Sequence, residues 1–155
     1  MRKVTVYTDG AAKGNPGPGG YGVVLMSGPH RKELAEGFKE TTNNRMELLA
    51  VIKALEALKE SCEVTVYSDS KYVVDAIEKG WLRSWISKNF KGKKNIDLWR
   101  RYILAAKDHK VKFVWVKGHA GNVENERCDR LAVMASEGSN LQEDKGYTSN
   151  NSSLF

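Results

Sequence analysis

The chain has only two cysteines, Cys62 and Cys128. They form neither a disulfide framework nor a CxxC motif, so the expected compartment is a reducing, cytoplasmic one. No apolar run approaches the ~20 residues of a membrane span. Met1-Arg2-Lys3-Val4 runs straight into a strand pattern, which leaves no room for a signal peptide. No long-period repeat points to a solenoid, and no second domain stands out. The glycine-rich run over residues 14–20 holds two prolines and is not followed by Gly-Lys-Ser/Thr, which makes it a poor phosphate cradle. What remains is ordinary for one globular domain with a single core: 155 residues, 41% hydrophobic and 28% charged.

Against these absences stands a short repeat. Val4-Thr5-Val6-Tyr7-Thr8-Asp9 returns as Val64-Thr65-Val66-Tyr67-Ser68-Asp69. Both copies are β-branched and aromatic, so both read as strands, and each ends on an aspartate. Parallel, adjacent strands would bring the two carboxylates to one sheet edge, with the strands ~4.8 Å apart. Anions that close do not both stay ionised without a cation, which points to a shared divalent metal. The alternative is two similar strand–turn junctions with Asp as an ordinary turn residue.

A third acid lies on the predicted helix 44–59. Lys53, Glu56, Lys59 and Glu60 cluster on one side at ~100° per residue, and Glu47 falls almost opposite them, among Met46, Leu48 and Leu49. An inward glutamate is costly unless paired or metal-bound. A capping box, Asn44-x-x-Glu47, is the competing account. Further on, His119 sits between glycines just past a strand end, a suitable place for a group that exchanges protons near neutral pH. Asp129 shares a helix side with Asn125, Cys128 and Ala132, a small-residue face able to approach a sheet closely. Taken singly, His119 also reads as a loop histidine and Asp129 as a surface acid, while His30 and His109 read as surface residues.

Charge is concentrated. The net charge is +6, yet residues 79–101 carry eight basic residues against the single acid Asp97, so the rest of the chain is slightly acidic. Trp81, Trp85, Phe90 and Trp99 are interleaved with Lys88, Lys91, Lys93 and Lys94. Basic groups bind phosphates and aromatic faces pack on sugars or bases, so the segment points to a polyanion. A solvated helical hairpin with its tryptophans docked on the core is the plainer alternative, and some of both is expected.

The coarse pattern predicts strands over 3–9, 21–26, 31–39, 63–68 and 111–116, the last covered on both faces. Helices are predicted over about 44–59, 71–79, 81–88, 96–109 and 124–136. Residues 14–20 read as a turn that resists regular structure, and 138–155 as a polar tail that frays. Antiparallel strands followed by βαβ crossovers imply an α/β fold: one domain over 1–137 with a mixed sheet, helices on its faces and a basic protrusion near 80–100. Sites in such sheets collect beyond the carboxyl ends of the parallel strands, where both repeat aspartates lie.

Four segments together resemble bacterial-type (type I) ribonuclease H, over roughly residues 3–134. They are Tyr7-Thr8-Asp9-Gly10 with Gly14-Asn15-Pro16-Gly17-Pro18-Gly19-Gly20-Tyr21-Gly22; Thr42-Asn43-Asn44-Arg45-Met46-Glu47; Ser68-Asp69-Ser70; and Val116-Lys117-Gly118-His119-Ala120-Gly121 leading to Asn125-Glu126-Arg127-Cys128-Asp129. All in order, at these spacings, are a specific signal. The resemblance implies a five-stranded mixed sheet flanked by helices, with Asp9, Glu47, Asp69 and Asp129 as metal-binding carboxylates. His119 would assist proton transfer or product release. It implies Mg²⁺ as cofactor, two ions with Mn²⁺ as a substitute. The implied reaction is endonucleolytic hydrolysis of the RNA strand of RNA–DNA hybrids to 3′-hydroxyl and 5′-phosphate ends, with little sequence preference. Asn15, Thr42, Asn43 and Asn44 match hybrid-contacting positions, the amides around Gly10–Ala12 would check riboses, and the basic segment with Trp81 and Trp85 matches the substrate-binding protrusion. The expected partner is therefore an RNA–DNA hybrid, with no membrane and a monomeric chain. The match is poorest between Trp85 and Trp99, where Phe90 stands in place of an expected tryptophan, and after Glu137, apart from Asp144-Lys145-Gly146-Tyr147. Among rivals, a transposase or resolvase would usually bring extra domains or lack the Asn43-Asn44 and His119 pieces. A binding module would lose acids, and a structural protein would not explain an inward Glu47.

Overall fold

The computed structural model describes residues 1–118 and 121–147. The repeat pairs with itself. Strand β1 (Arg2–Ala12) lies parallel to β4 (Cys62–Ser68) in the register Val4↔Val64, Thr5↔Thr65, Val6↔Val66 and Tyr7↔Tyr67. Like side chains therefore sit side by side, and the Tyr7 and Tyr67 rings stack with centroids 5.0 Å apart. With β2 (Gly17–Ser27), β3 (His30–Thr41) and β5 (Lys110–Trp115) the sheet has the order β3-β2-β1-β4-β5. The hairpin pairings are antiparallel and the β1–β4 and β4–β5 pairings parallel, the mixed sheet expected from the chain pattern.

Apolar residues alternate with others along β1 and β4, so the two faces are distinct. Val4, Val6, Val64 and Val66 face the larger core, which also holds α1 (Asn43–Glu56), α2 (Lys71–Glu78), α3 (Trp81–Ser87) and α4 (Ile96–Ala106). On the other face α5 (Val123–Ser136) covers a smaller cluster of Val24, Cys128 and Leu131, with Tyr7 and Met26 packed against it.

The structure differs from the pattern-based expectation in several places. Residues 17–20 are strand rather than turn, and the bare backbone of the glycines in and beyond this run is used for contact. A Cβ on Gly20 would lie 2.6 Å from the Ala132 carbonyl oxygen, one on Gly22 2.3 Å from that of Cys128, and one on Gly37 2.0 Å from that of Ala135. Glycine here is a packing choice that lets α5 rest on the backbone of β2 and β3. Strand β5 is an edge strand and not covered on both faces: Phe113 is its one buried residue, and Trp115 is exposed. Helices α1 and α4 end at Glu56 and Ala106, short of the predicted 59 and 109. Released from the helix, His109 is half-buried rather than on the surface, and its Nδ1 accepts from the Cys62 amide at 3.0 Å at the start of β4.

The segment after α5 does not fray over its described part. Gln142 bridges to β3 by exchanging backbone hydrogen bonds with Gly37 and Lys39. Asp144 is buried, accepting from Thr41 Oγ1 at 2.7 Å and from the buried Arg45 at 2.7 and 2.9 Å. A polar composition marks a surface segment, but one carboxylate paired with a buried guanidinium suffices to dock it.

Gly22→Ala is expected to lower unfolding stability by about 2 kcal/mol, because the new methyl forces α5 off the sheet. Urea unfolding followed by circular dichroism measures this; a change under about 0.5 kcal/mol would mean that α5 is not in tight contact.

Candidate active site

Three carboxylates converge at the carboxyl edge of the two central strands. One oxygen each of Asp9, Glu47 and Asp69 lies within 4.8 Å of the others. Asp9 comes from within β1, two residues beyond Tyr7, and its Oδ1 accepts from the Gly10 amide at 2.9 Å. Asp69 follows the last residue of β4. Its backbone is pinned on both sides: its carbonyl accepts from Trp115 Nε1 at 3.1 Å, while Ser70 caps α2 by accepting from the Val73 amide at 3.2 Å.

Glu47 reaches the same place from the first turns of α1. The helix is capped by Thr42, whose Oγ1 accepts from the Arg45 amide at 3.3 Å. The Asn44 capping box is therefore not formed, and Glu47 turns inward and is buried. It gets close enough to the strand because residue 10 is glycine. A Cβ there would stand 2.4 Å from the Met46 carbonyl carbon and 2.5 Å from the Glu47 nitrogen.

This crowding is electrostatically costly. Burial, and after it the neighbouring Asp69, push the Asp9 carboxyl from 3.8 up to about 7. Burial pushes Glu47 well above its ordinary value too, with the charges of Asp9 and Asp69 adding to it. Glu47 Oε1 and Asp69 Oδ1 are buried with no hydrogen-bond partner among the described residues. Buried acceptors left open in this way fit a hard, oxygen-seeking divalent cation, which would satisfy both oxygens and cancel the repulsion.

Asp129, half-buried on α5, lies beside this cluster rather than inside it. It lines a small cleft with Asp9, Asp69 and Gly118, and its charge adds to the upward shift of Asp9. Asn125 and Glu126 line the same cleft, and Asn125 Oδ1 is buried and unpartnered among the described residues. In the sequence Asn125 stands out only as a helix neighbour of Asp129. Their i, i+4 spacing is the available signal that both face the cleft. The remaining candidate, His119, lies outside the described residues.

The polar positions form a second feature. Asn15 Oδ1 accepts from the Asn43 amide at 2.9 Å, and Asn43 Oδ1 accepts from the Ala12 amide at 2.5 Å. The Gly10 amide donates to Asp9 Oδ1 and the Ala12 amide to Asn43 Oδ1. Asn15, Thr42 and Asn44 line an open groove of about 720 Å³ whose far side is Lys93 and Lys94. Lys88, Lys91, Lys93 and Lys94 are all exposed, and among the described residues the ion pairs of this region use Lys79, Arg101 and Asp97 instead. The aromatics divide. Trp81 is exposed with Lys79 over its ring, whereas Trp99 and Phe90 are buried. Trp85 is half-buried, edge-on to Trp99 at 5.6 Å with Lys93 over its ring.

Solved structures share this architecture. LC9-RNase H1, a type 1 RNase H with the type 2 active-site motif, superposes with a TM-score of 0.81 at 33% identity, over 89% of this chain and 74% of its own. LC11-RNase H1, solved in complex with an RNA/DNA hybrid, superposes with a TM-score of 0.63 at 28% identity, over 86% of this chain and 96% of its own. The fold is thus that of the ribonuclease H enzymes. The RNase H family model matches residues 1–137, and the Ribonuclease H of Desulforamulus reducens is 58% identical, over 91% of this chain and 92% of its own. That of Syntrophus aciditrophicus is 55% identical over 95% and 88%. The chain belongs to the ribonuclease H family.

The raised carboxyls fix a pH dependence for the metal-free protein. Between about 4 and about 7 the unfolded chain has released the Asp9 proton and the folded one has not, so stability falls as pH rises through that window. Asp9→Asn is expected to flatten this fall and to stabilise the metal-free protein at pH 7.5 by on the order of 2 kcal/mol. Urea unfolding in EDTA at pH 4.5 and 7.5 measures both effects; equal stability of the two proteins at pH 7.5 would contradict the raised Asp9 carboxyl.

Proposed function

We propose that this chain is an endoribonuclease that hydrolyses the RNA strand of RNA–DNA hybrids, with Asp9, Glu47, Asp69 and Asp129 as the metal-holding groups. The observation that carries this reading is the cluster of Asp9, Glu47 and Asp69 with its unpartnered buried oxygens, in a member of the ribonuclease H family. Two divalent cations, Mg²⁺ or in its place Mn²⁺, would neutralise the scissile phosphate, activate the attacking water and stabilise the departing 3′ oxygen.

The chain's own residues supply position and protons. Asp9 and Asp69, fixed by the sheet and the α2 cap, would hold the cations at the sheet edge together with Glu47 from α1. Asp129 and Asn125 bound the cleft on the α5 side. His119 assists proton transfer or product release. In-line attack of water gives a 3′-hydroxyl and a 5′-phosphate.

Substrate choice falls to the groove and the basic segment. Only the RNA strand carries 2′-hydroxyls, which Asn15, Asn43 and Asn44 are suited to read. The backbone around Gly10 lies on the ribose side, and the DNA strand bends around Thr42 in the groove. Lys88, Lys91, Lys93 and Lys94, with Trp81 and Trp85, hold the backbone of the DNA strand. Phosphate contacts carry no base information, so sequence preference is weak and affinity falls steeply with salt. Residues 1–137 act as one catalytic domain, and the enzyme works as a monomer in the cytoplasm, where its two cysteines stay reduced.

The direct test is cleavage of end-labelled RNA–DNA hybrid, duplex RNA and duplex DNA with Mg²⁺ and with EDTA. Internal cuts confined to the RNA of the hybrid and abolished by EDTA are expected. Intact substrates in both Mg²⁺ and Mn²⁺, with hybrid still bound, would make the chain a recognition module. Asp69→Asn is expected to abolish cleavage and leave hybrid affinity largely intact. Joint replacement of Lys91, Lys93 and Lys94 by Ala should raise KM with little change in kcat and reduce the salt slope by about one for each phosphate no longer neutralised. An unaltered KM would return the segment to a purely structural role.

A further inference from the structure

The groove between Asn44 and Lys94 has one wall that the proposed function does not use, and it comes from the C-terminal segment. Tyr147 lines that groove together with Asn15, Thr42, Asn44, Lys93 and Lys94. It is brought there by a buried ionic joint. Arg45, 1% exposed, donates to Asp144 at 2.7 and 2.9 Å and to Asp97 at 2.9 and 2.8 Å. Asp144 also accepts from Thr41 Oγ1 at 2.7 Å. One guanidinium thus ties the start of α1, the start of α4 and the C-terminal segment together.

The chain then crosses directly over this joint. A Cβ on residue 146 would lie 1.9 Å from Asp97 Oδ2 and 2.6 Å from Arg45 Nη2, so glycine is required for the passage. The next residue is Tyr147, half-buried against the groove. An aromatic ring that lines the groove with two exposed lysines and three asparagines combines an apolar face, positive charge and amide donors in one place. A nucleic-acid strand, with its bases, sugars and phosphates, complements all three.

We infer that Tyr147 is a substrate-contacting residue: its ring packs against a sugar or base of the strand seated in the groove, and the Asp144–Arg45–Asp97 joint presents it. This rests on the proposed hybrid-cleaving function. Asp144, Arg45 and Gly146 are positioning residues, acting through Tyr147 and not on the substrate.

The test compares wild type, Tyr147→Ala and Tyr147→Phe by three measurements. These are binding of a fluorescent RNA–DNA hybrid in EDTA, steady-state cleavage in Mg²⁺ at several salt concentrations, and the thermal midpoint. Tyr147→Ala is expected to weaken binding and raise KM about five- to tenfold, with kcat within about twofold and an unchanged salt slope, since a stacking contact carries no charge. Tyr147→Phe, which keeps the ring, should recover wild-type KM to within about twofold. Wild-type binding and KM in Tyr147→Ala would overturn the inference while leaving the proposed function standing. So would a loss that Tyr147→Phe does not rescue and that tracks a fall in thermal midpoint. Wild type that binds hybrid without cleaving it would defeat the catalytic reading alone, with Tyr147 still read in the binding assay. Wild type that binds no hybrid overturns both.

Discussion

Mutual repulsion among Asp9, Glu47 and Asp69 is the constraint around which the rest of the molecule is arranged. Three carboxylates with one oxygen each within 4.8 Å of the others, two of them with a buried oxygen lacking any partner among the described residues, raise the free energy of the folded state unless a cation joins them. A fold can sustain that only if other contacts over-determine the positions of the three side chains. Here they do. Asp9 is held in a strand paired on both sides, Asp69 lies between a strand end and a capped helix, and Glu47 sits on a helix pressed against Gly10. The upward displacement of Asp9 to about 7 follows from that placement, through burial first and the charge of Asp69 after it.

Close approach of helices to the sheet is how the acids are delivered. Gly10 brings α1 and Glu47 down from one face; Gly20, Gly22 and Gly37 bring α5, and with it Asn125 and Asp129, down from the other. The chain therefore removes side chains where it needs backbones in contact. The same device recurs at Gly146, where the C-terminal segment crosses the Arg45–Asp97 pair. That joint lines the groove and links the asparagine-rich start of α1 to the lysine-bearing segment before α4. Catalytic cluster and groove thus share α1: Glu47 points to one and Asn44 to the other.

Much of this is legible in the residues alone, for identifiable reasons. The β1/β4 pairing can be read because two near-identical hexapeptides end on aspartates at matching positions, and the register aligns them residue for residue. Glu47 can be read from its place opposite a charged helical stripe. What is not legible depends on tertiary contact. The glycine run looks like a turn because glycine's usual signal is conformational freedom, whereas Gly20 and Gly22 are strand residues selected for a helix above them. The polar C-terminal segment looks unanchored because a single carboxylate, Asp144, and a distant Arg45 do the docking. Asn125 is legible only as a helix neighbour of Asp129, because its place in the cleft appears once α5 is set on the sheet. In the basic segment, burial of Trp99 and Phe90 against exposure of Trp81 likewise emerges only from packing.

The central claim is that the carboxylate cluster is strained without a cation and relaxed with one. Carboxyl-carbon NMR titration of Asp9 and Glu47, in EDTA and in saturating Mg²⁺, tests it most directly. Without the ion, Asp9 is predicted to titrate near 7 and Glu47 above the usual carboxylate range. With Mg²⁺, both transitions should move down by more than about 2 pH units, because the bound cation favours the ionised forms. Ordinary carboxylate titrations of both residues in EDTA, unchanged by Mg²⁺, would contradict the account.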